Sequence, residues 1–319
     1  MLCQDVGPAP SFGDEIRSRF MTDLAAASTL HPSRSLAGWA LATTILLWAS
    51  AYPAIRAGLD GFAPGPLAAL RYGVAALAFL VPVAAGRVGR PRRADLARIA
   101  ASGGLGIALY NLALNSGERT VSAGAASFLI NCSPIFTALL GRLLLGERFR
   151  AWGWVGSVVS LAGVGLIASA EAGAAGIGAG ASLVLLAAGC QAVQFVLQKP
   201  LLARYGALAT TAYLVFTGAF CLLPFLPAAL RAIPDASNTA LAAALYLGVF
   251  PAAIAYATWS VVLAQFPVAR ASSFIYLVAP LATGLAVLWL GEWPTTRALL
   301  GGGTVLIGVA LVNMLGRGR

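Results

Sequence analysis

Apolar runs of about twenty residues recur along this chain, each closed by a cluster of Pro, Gly or charged residues. They lie near 36–56, 64–86, 97–116, 120–144, 151–170, 177–198, 208–230, 239–263, 268–290 and 296–315. A helix needs about 20 residues to cross a bilayer core of roughly 30 Å. The pattern therefore predicts an all-α membrane protein with ten transmembrane helices. The connectors are short, so successive helices should run antiparallel. Residues 1–34 carry Pro8, Pro10, Asp14, Glu15, Arg17, Arg19 and Arg34 without a long apolar run. They predict a cytoplasmic N-terminal tail, in which Met21 is an alternative start to Met1. The first apolar run is too long for a secretory signal and has no cleavage site after it.

The pattern repeats. The run ASFLINCSPIFTALLGRLLLGE at 126–147 aligns with ASSFIYLVAPLATGLAVLWLGE at 271–292. Each begins Ala-Ser, has a proline in mid-span (Pro134, Pro280), and closes on Leu-Gly-Glu at the end of a span. Two repeats follow, 35–170 and 171–315, with a short C-terminal tail at 316–319. Five helices is an odd number, so the second repeat must enter the membrane inverted. Inverted repeats are a recurring transporter architecture, with the substrate site near the midplane between them. Glu147 and Glu292, at the two matched helix ends, are read as structural. A carboxylate there faces water or bonds the first amides of a helix, where the dipole favours it.

Composition agrees with a membrane location. Apolar residues make up 59% of the chain and charged residues 10%, against about 25% charged in soluble domains. The net charge of +10 does not point to nucleic acid, because the cations sit in connectors. With the N-terminus inside, only Arg56, Arg119, Arg231 and Arg297 fall in outer connectors, and most of the rest fall inside. Both termini are thus expected in the cytoplasm. Cys3, Cys132, Cys190 and Cys221 show no metal or redox spacing. No cofactor is implied.

The stretch LLWASAYPAIRAGL…PGPLAALRYGVAAL at 46–77 resembles the opening of an EamA-type repeat of the drug/metabolite transporter superfamily. The two Pro…Leu-Gly-Glu spans and ALYLGVFPAAIAYATWSVVLAQFPVARAS at 244–272 resemble the same family, so the likeness covers about 36–315. It implies ten helices in two inverted halves around a central cavity. It also implies export of small metabolites, with bacterial inner-membrane exporters of aromatic and other neutral amino acids as the nearest kind. Ala-Ser-Ala at 49–51 stands where many members carry Gly-Ser-Asn, so an amide often present in the first span is missing here.

The polar residues inside the spans are neutral and fall at helical spacing. Asn111 and Asn115, Ser127 and Asn131, Trp48 and Tyr52 are pairs four apart. Gln191, Gln194 and Gln198 are spaced three and four. The eighth span adds Tyr256 and Trp259, and the ninth adds Ser272, Ser273 and Tyr276. Amides facing lipid would lack partners, so these faces are expected to turn inward, as interhelical glue or as cavity lining. As lining they suit a zwitterion with an apolar side chain, since dipoles and aromatic rings hold it without fixed charge, and broad specificity follows. Arg71 is the one cation deep inside a span, since every other cation within the spans lies within two residues of an end. It either snorkels to the interface or holds a substrate carboxylate. Pro134 and Pro280, with Pro53 and Pro251, are expected to kink their helices and act as hinges.

No Asp or Glu lies deep in a predicted span, and the sole His, His31, is in the tail. The expectation is a facilitator or exchanger working by alternating access without an intramembrane carboxylate relay. Efflux of drugs or other metabolites is the runner-up, although a carrier of cationic drugs would call for a buried acid. A channel is the third reading. A membrane-embedded enzyme would need an acid, base, metal or activated nucleophile, and the spacing supplies none. The expected partners are lipid and a small-molecule substrate, with the protein a monomer in a bacterial inner membrane.

Overall fold

The computed structural model describes residues 34–145, 151–171, 178–266 and 268–314. Residues 1–33 of the predicted tail, the connector that holds Glu147, and the C-terminal tail lie outside the described residues. Among the described residues every regular element is helical. Six helices are long and apolar enough to cross a membrane: Leu36–Leu59, Pro64–Ala84, Arg93–Gly117, Ala123–Leu140, Ala179–Asp235 and Asn238–Gln265. Ala151–Ile167 and Phe274–Leu290 are shorter apolar helices.

Several of these spans are interrupted. The first is α1 (Arg34–Ala49) followed by α2 (Ala51–Leu59), offset at Ser50. There the Ser50 hydroxyl donates to the Leu47 carbonyl at 3.0 Å and pairs with the Tyr246 hydroxyl at 2.6 Å. The second is α3 (Pro64–Ala84), opened by Pro64 where a helix needs no amide donor. The third is α4 (Leu96–Gly103), a π-helical turn (Gly104–Leu109) and α5 (Tyr110–Gly117). The fourth is α6 (Ala123–Ile130) and α7 (Ser133–Leu145), separated by Asn131 and Cys132. α6 is capped by Ser122, whose hydroxyl accepts from the Ala125 amide at 3.3 Å. α8 is Ala151–Glu171 and α9 is Ala179–Leu222. After α10 (Leu226–Ala232) comes α11 (Asn238–Leu247), a second π-helical turn (Gly248–Ile254) and α12 (Ala255–Gln265). The predicted ninth span is α13 (Val268–Ser273), a 3-10 turn (Phe274–Leu277) and α14 (Val278–Leu290). α15 (Thr296–Met314) ends the fold.

The structure corrects two expectations. Pro134 and Pro280 do not kink continuous helices. They are the second residue of α7 and the third of α14, each just past a break. A proline offers no N–H and its ring crowds the carbonyl four residues back. The chain answers by ending one helix and starting another, with the proline in a first turn whose amides lack intrahelical partners anyway. Pro53 sits the same way, third in α2. The second correction concerns the sixth and seventh spans. The predicted loop at 199–207 is helical, and α9 turns only at Gly206. Its φ of 75° and ψ of 175° belong to a region essentially restricted to glycine.

Packing joins the two halves of the chain at many places. α12 lies on α1, α14 lies on α6, and the third span packs along α9. α8 and α15 pair along their length. Their backbones touch where a Cβ on Gly163 would sit 2.6 Å from the Gly301 carbonyl, and one on Gly301 2.7 Å from the Gly163 carbonyl. Tyr72, Phe195 and Trp259 are among the largest fully buried side chains and mark the core beside the site.

Candidate functional site

The first, second, third, fourth, sixth, eighth and ninth spans converge on a cavity of about 20 Å³, room for about one water. Trp48, Ala51, Tyr52 and Ile55 line it from the first span, and Arg71 from α3. Tyr110 and Leu114 come from α5, Ile130 from α6, Gln191 from α9, Tyr256 from α12, and Ile275 and Val278 from the ninth span. A site this small has no room for a metabolite in this conformation.

Arg71 supplies the charge. Its side chain is 3% exposed, which rules out snorkelling to the interface. Its Nη1 donates to Asn111 Oδ1 at 2.9 Å. Asn111 Nδ2 donates to the Ile107 carbonyl at 2.7 Å and to the Tyr72 hydroxyl at 3.0 Å, which fixes the amide with its oxygen toward Arg71. Ile107 belongs to the first π-helical turn, so that irregularity helps to aim the guanidinium. Arg71 Nε is buried without a hydrogen-bond partner. Among the described residues no carboxylate forms an ion pair with Arg71. A desolvated cation without a counter-ion is costly, so the site favours an anionic group.

Aromatic rings close one wall. Trp48 meets Trp259 at 5.2 Å and Tyr256 at 5.5 Å between centroids. Phe195 backs Trp259 at 4.8 Å, and Tyr72 stands edge-on to Tyr256 at 6.3 Å. Such pairs hold each other in place beyond their area burial.

Of the residues predicted from sequence, Trp48, Tyr52, Arg71, Gln191 and Tyr256 line the cavity. Asn111 stands behind Arg71, and Trp259 behind Trp48. The others do not line it. Asn115 Nδ2 donates to the Pro64 carbonyl at 3.1 Å, tethering α5 to the start of α3. Ser127 donates to the Gly124 carbonyl of its own helix at 2.6 Å. Asn131 is buried in the α6–α7 break, with no protein partner for either side-chain atom. Gln194 packs on the first π-helical turn, where a Cβ on Gly106 would overlap its own Cβ. Gln198 donates to Ser260 at 2.8 Å. Tyr276 is buried in the 3-10 turn beside the lining residue Ile275. Asn115 and Gln198 act as glue between helices.

Sequence reading missed Tyr110, and it missed Glu118. Tyr110, Leu114 and Glu118 form one four-residue row, the signal that would have found both. Glu118 follows the last residue of the third span and is 0% exposed. Neither carboxyl oxygen has a hydrogen-bond partner. Burial pushes its carboxyl well above the usual carboxylate range. Arg56 pulls it back, Glu292 adds to the rise, and Arg71 pulls it back again. Glu118 lies past the end of the third span, so it is a buried carboxylate at a span end rather than one deep within a span.

Polar ties stand at both ends of the bundle. At one end Arg56 Nε donates to Glu292 Oε1 at 3.1 Å, and Arg56 Nη1 donates to the main-chain carbonyl of Glu118. Glu292 Oε2 accepts from the Ala123 amide at 3.1 Å, the first residue of α6. Glu292 thus bonds the opening of the fourth span rather than the helix that follows it. At the other end Arg204 Nη1 donates to both oxygens of Asp95 at 2.8 Å, and the Tyr205 hydroxyl donates to Asp95. Nearby, Lys199 Nζ donates to the Leu263 carbonyl and, at 2.7 Å, to that of Phe266, capping α12.

Comparison with known proteins adds a lineage. Residues 36–169 and 178–314 each match the model of the EamA-like transporter family. A protein of Streptantibioticus cattleyicolor described as a "probable terminal-alkyne amino-acid exporter" is 43% identical over 287 residues, 89% of this chain and 96% of the relative. The "uncharacterized transporter YdfC" of Bacillus subtilis is 37% identical over 268 residues, 84% of this chain and 88% of the relative. A solved crystal structure is similar in fold, with a TM-score of 0.62 at 22% identity, covering 89% of this chain and 98% of that one.

Proposed function

Because the chain belongs to the EamA-like transporter family, a family of multi-pass membrane transporters, we propose that it is an exporter of neutral amino acids, aromatic ones included, with broad specificity. The observation that carries this reading is Arg71, a buried guanidinium without a paired acid, aimed by Asn111 into a cavity walled by Trp48, Tyr52, Tyr110 and Tyr256. The guanidinium takes the α-carboxylate, and the rings take the side chain and exclude water. The exporter of terminal-alkyne amino acids among its relatives supports the class, since such a substrate pairs a zwitterionic head with an apolar tail.

Alternating access between ten helices in two inverted halves completes the reading. Its support is the double match of the family model and the matched irregularities. The third and eighth spans both carry a π-helical turn. The fourth and ninth both break just ahead of a proline. Those breaks put a few residues without α-helical hydrogen bonding beside Ile130, Ile275 and Val278, where half-helices can swing about Pro134 and Pro280. The charge bias of the connectors supports cytoplasmic termini in an inner membrane.

Counterflow in proteoliposomes tests the function. Vesicles loaded with unlabelled phenylalanine should accumulate labelled phenylalanine transiently. Arg71→Gln should weaken apparent affinity about tenfold or more, given about 1.5–3 kcal/mol for a hydrogen bond to a charged group. Flux that does not saturate would indicate a channel. No counterflow with any neutral amino acid, alongside uptake of another solute, would reject the amino-acid class.

A further inference from the structure

We propose that Glu118 is the ammonium-binding group of this site, so that Arg71 and Glu118 hold the two charged ends of a zwitterion; this rests on the amino-acid reading above. Leu114 lines the cavity, and Glu118 stands four residues further along the same helix face, about 6 Å away by helix rise. Its carboxyl lies within electrostatic reach of Arg71 and of the lining residues Tyr52 and Tyr110. It is wholly buried, and both its oxygens lack partners. Few buried polar groups in folded proteins are left so.

The surrounding charges explain why it stays free. Arg56, the cation packed against it, is already engaged by Glu292 and by the main-chain carbonyl of Glu118. Glu292 is of like sign. Arg71 spends its Nη1 on Asn111. The remaining facing groups, Tyr52 and Tyr110, are neutral phenols. Between binding events the carboxyl therefore holds its proton. An arriving ammonium reverses the balance. The carboxyl O–H bond breaks, the proton leaves to solvent, and the carboxylate pairs with the ammonium. Substrate binding should release up to about one proton per molecule at neutral pH.

Two ligands that differ only in the ammonium test this: phenylalanine and 3-phenylpropanoate. Affinities are measured calorimetrically on the purified full chain, in two buffers of different protonation enthalpy. Wild type should prefer phenylalanine about tenfold or more and release protons on binding it. Glu118→Gln should lose both the preference and the proton release while still binding 3-phenylpropanoate. An unchanged preference in that variant overturns the proposal even if phenylalanine is transported. Absence of phenylalanine binding to wild type overturns the amino-acid reading and this proposal with it. If Glu118→Gln binds neither ligand, Glu118→Asp decides. A reduced but persisting preference supports the assignment, and equal affinity for the two ligands overturns it.

Discussion

The two ends of the bundle are tied by different chemistry. At the Asp95 end one carboxylate, its side chain 4% exposed, receives two bonds from Arg204, itself 25% exposed, and one from Tyr205. At the Glu292 end the paired side chains are 33% and 23% exposed, and Arg56 reaches Glu292 through a single bond. Partly exposed pairs are worth about 0–1 kcal/mol. Removing one partner of a buried pair costs about 3–5 kcal/mol. Both ties cross between the halves of the chain, so both resist opening, and they resist unequally. The Glu292 end, next to Glu118, is the more weakly tied, and on the exporter reading proposed above it is the easier mouth.

That inequality can be broken by experiment. Asp95→Asn should have the largest effect, up to about 3 kcal/mol of lost stability, because Arg204 loses its charged partner and one of the two oxygens that Arg204 and Tyr205 share becomes an N–H2 donor facing them. Unfolding in detergent micelles reads it, and an unchanged midpoint would mean that the Asp95 end is no lock. Lys199→Met should follow, at about 1–3 kcal/mol, since it leaves the Leu263 and Phe266 carbonyls without their donor. The loss should leave the counterflow rate less affected than Asp95→Asn does. A double-mutant cycle of Arg56→Ala and Glu292→Ala should give the smallest value, below about 1 kcal/mol of coupling. The same variants should speed phenylalanine counterflow a few-fold by loosening the mouth. Coupling at Arg56–Glu292 that exceeds the Asp95→Asn effect would reverse the ranking of the two ends.

Much of this architecture was legible in the sequence, because span-forming residues announce themselves by hydropathy alone. The α1–α2, α3 and α11–α12 spans lie close to where apolar runs placed them. The interruptions were not legible. A π-helical turn at Gly104–Leu109 has no composition of its own, and it follows from how α4 and α5 pack on α9. The prolines were visible, yet whether Pro134 bends a helix or restarts one depends on what the Asn131–Cys132 segment packs against. At the site, Arg71 stood out as a lone cation in an apolar run. Glu118 did not, because Gly117-Glu118-Arg119 reads as a solvated connector. Its neighbours Arg56 and Glu292 come from distant parts of the chain, which no local pattern records.

The corner at Gly206 bears on how this molecule can be handled. Tyr205 on one side is tied to Asp95, and Thr211 on the other bonds Ser260 at 2.6 Å. One residue joins the two helices, so there is no slack. Epitope tags, protease sites and fused reporters are best tolerated at exposed, loosely held loop tips. Placed at this corner, each would have to unwind helix and strip Asp95 of its donors. Reporters of membrane topology belong in other connectors.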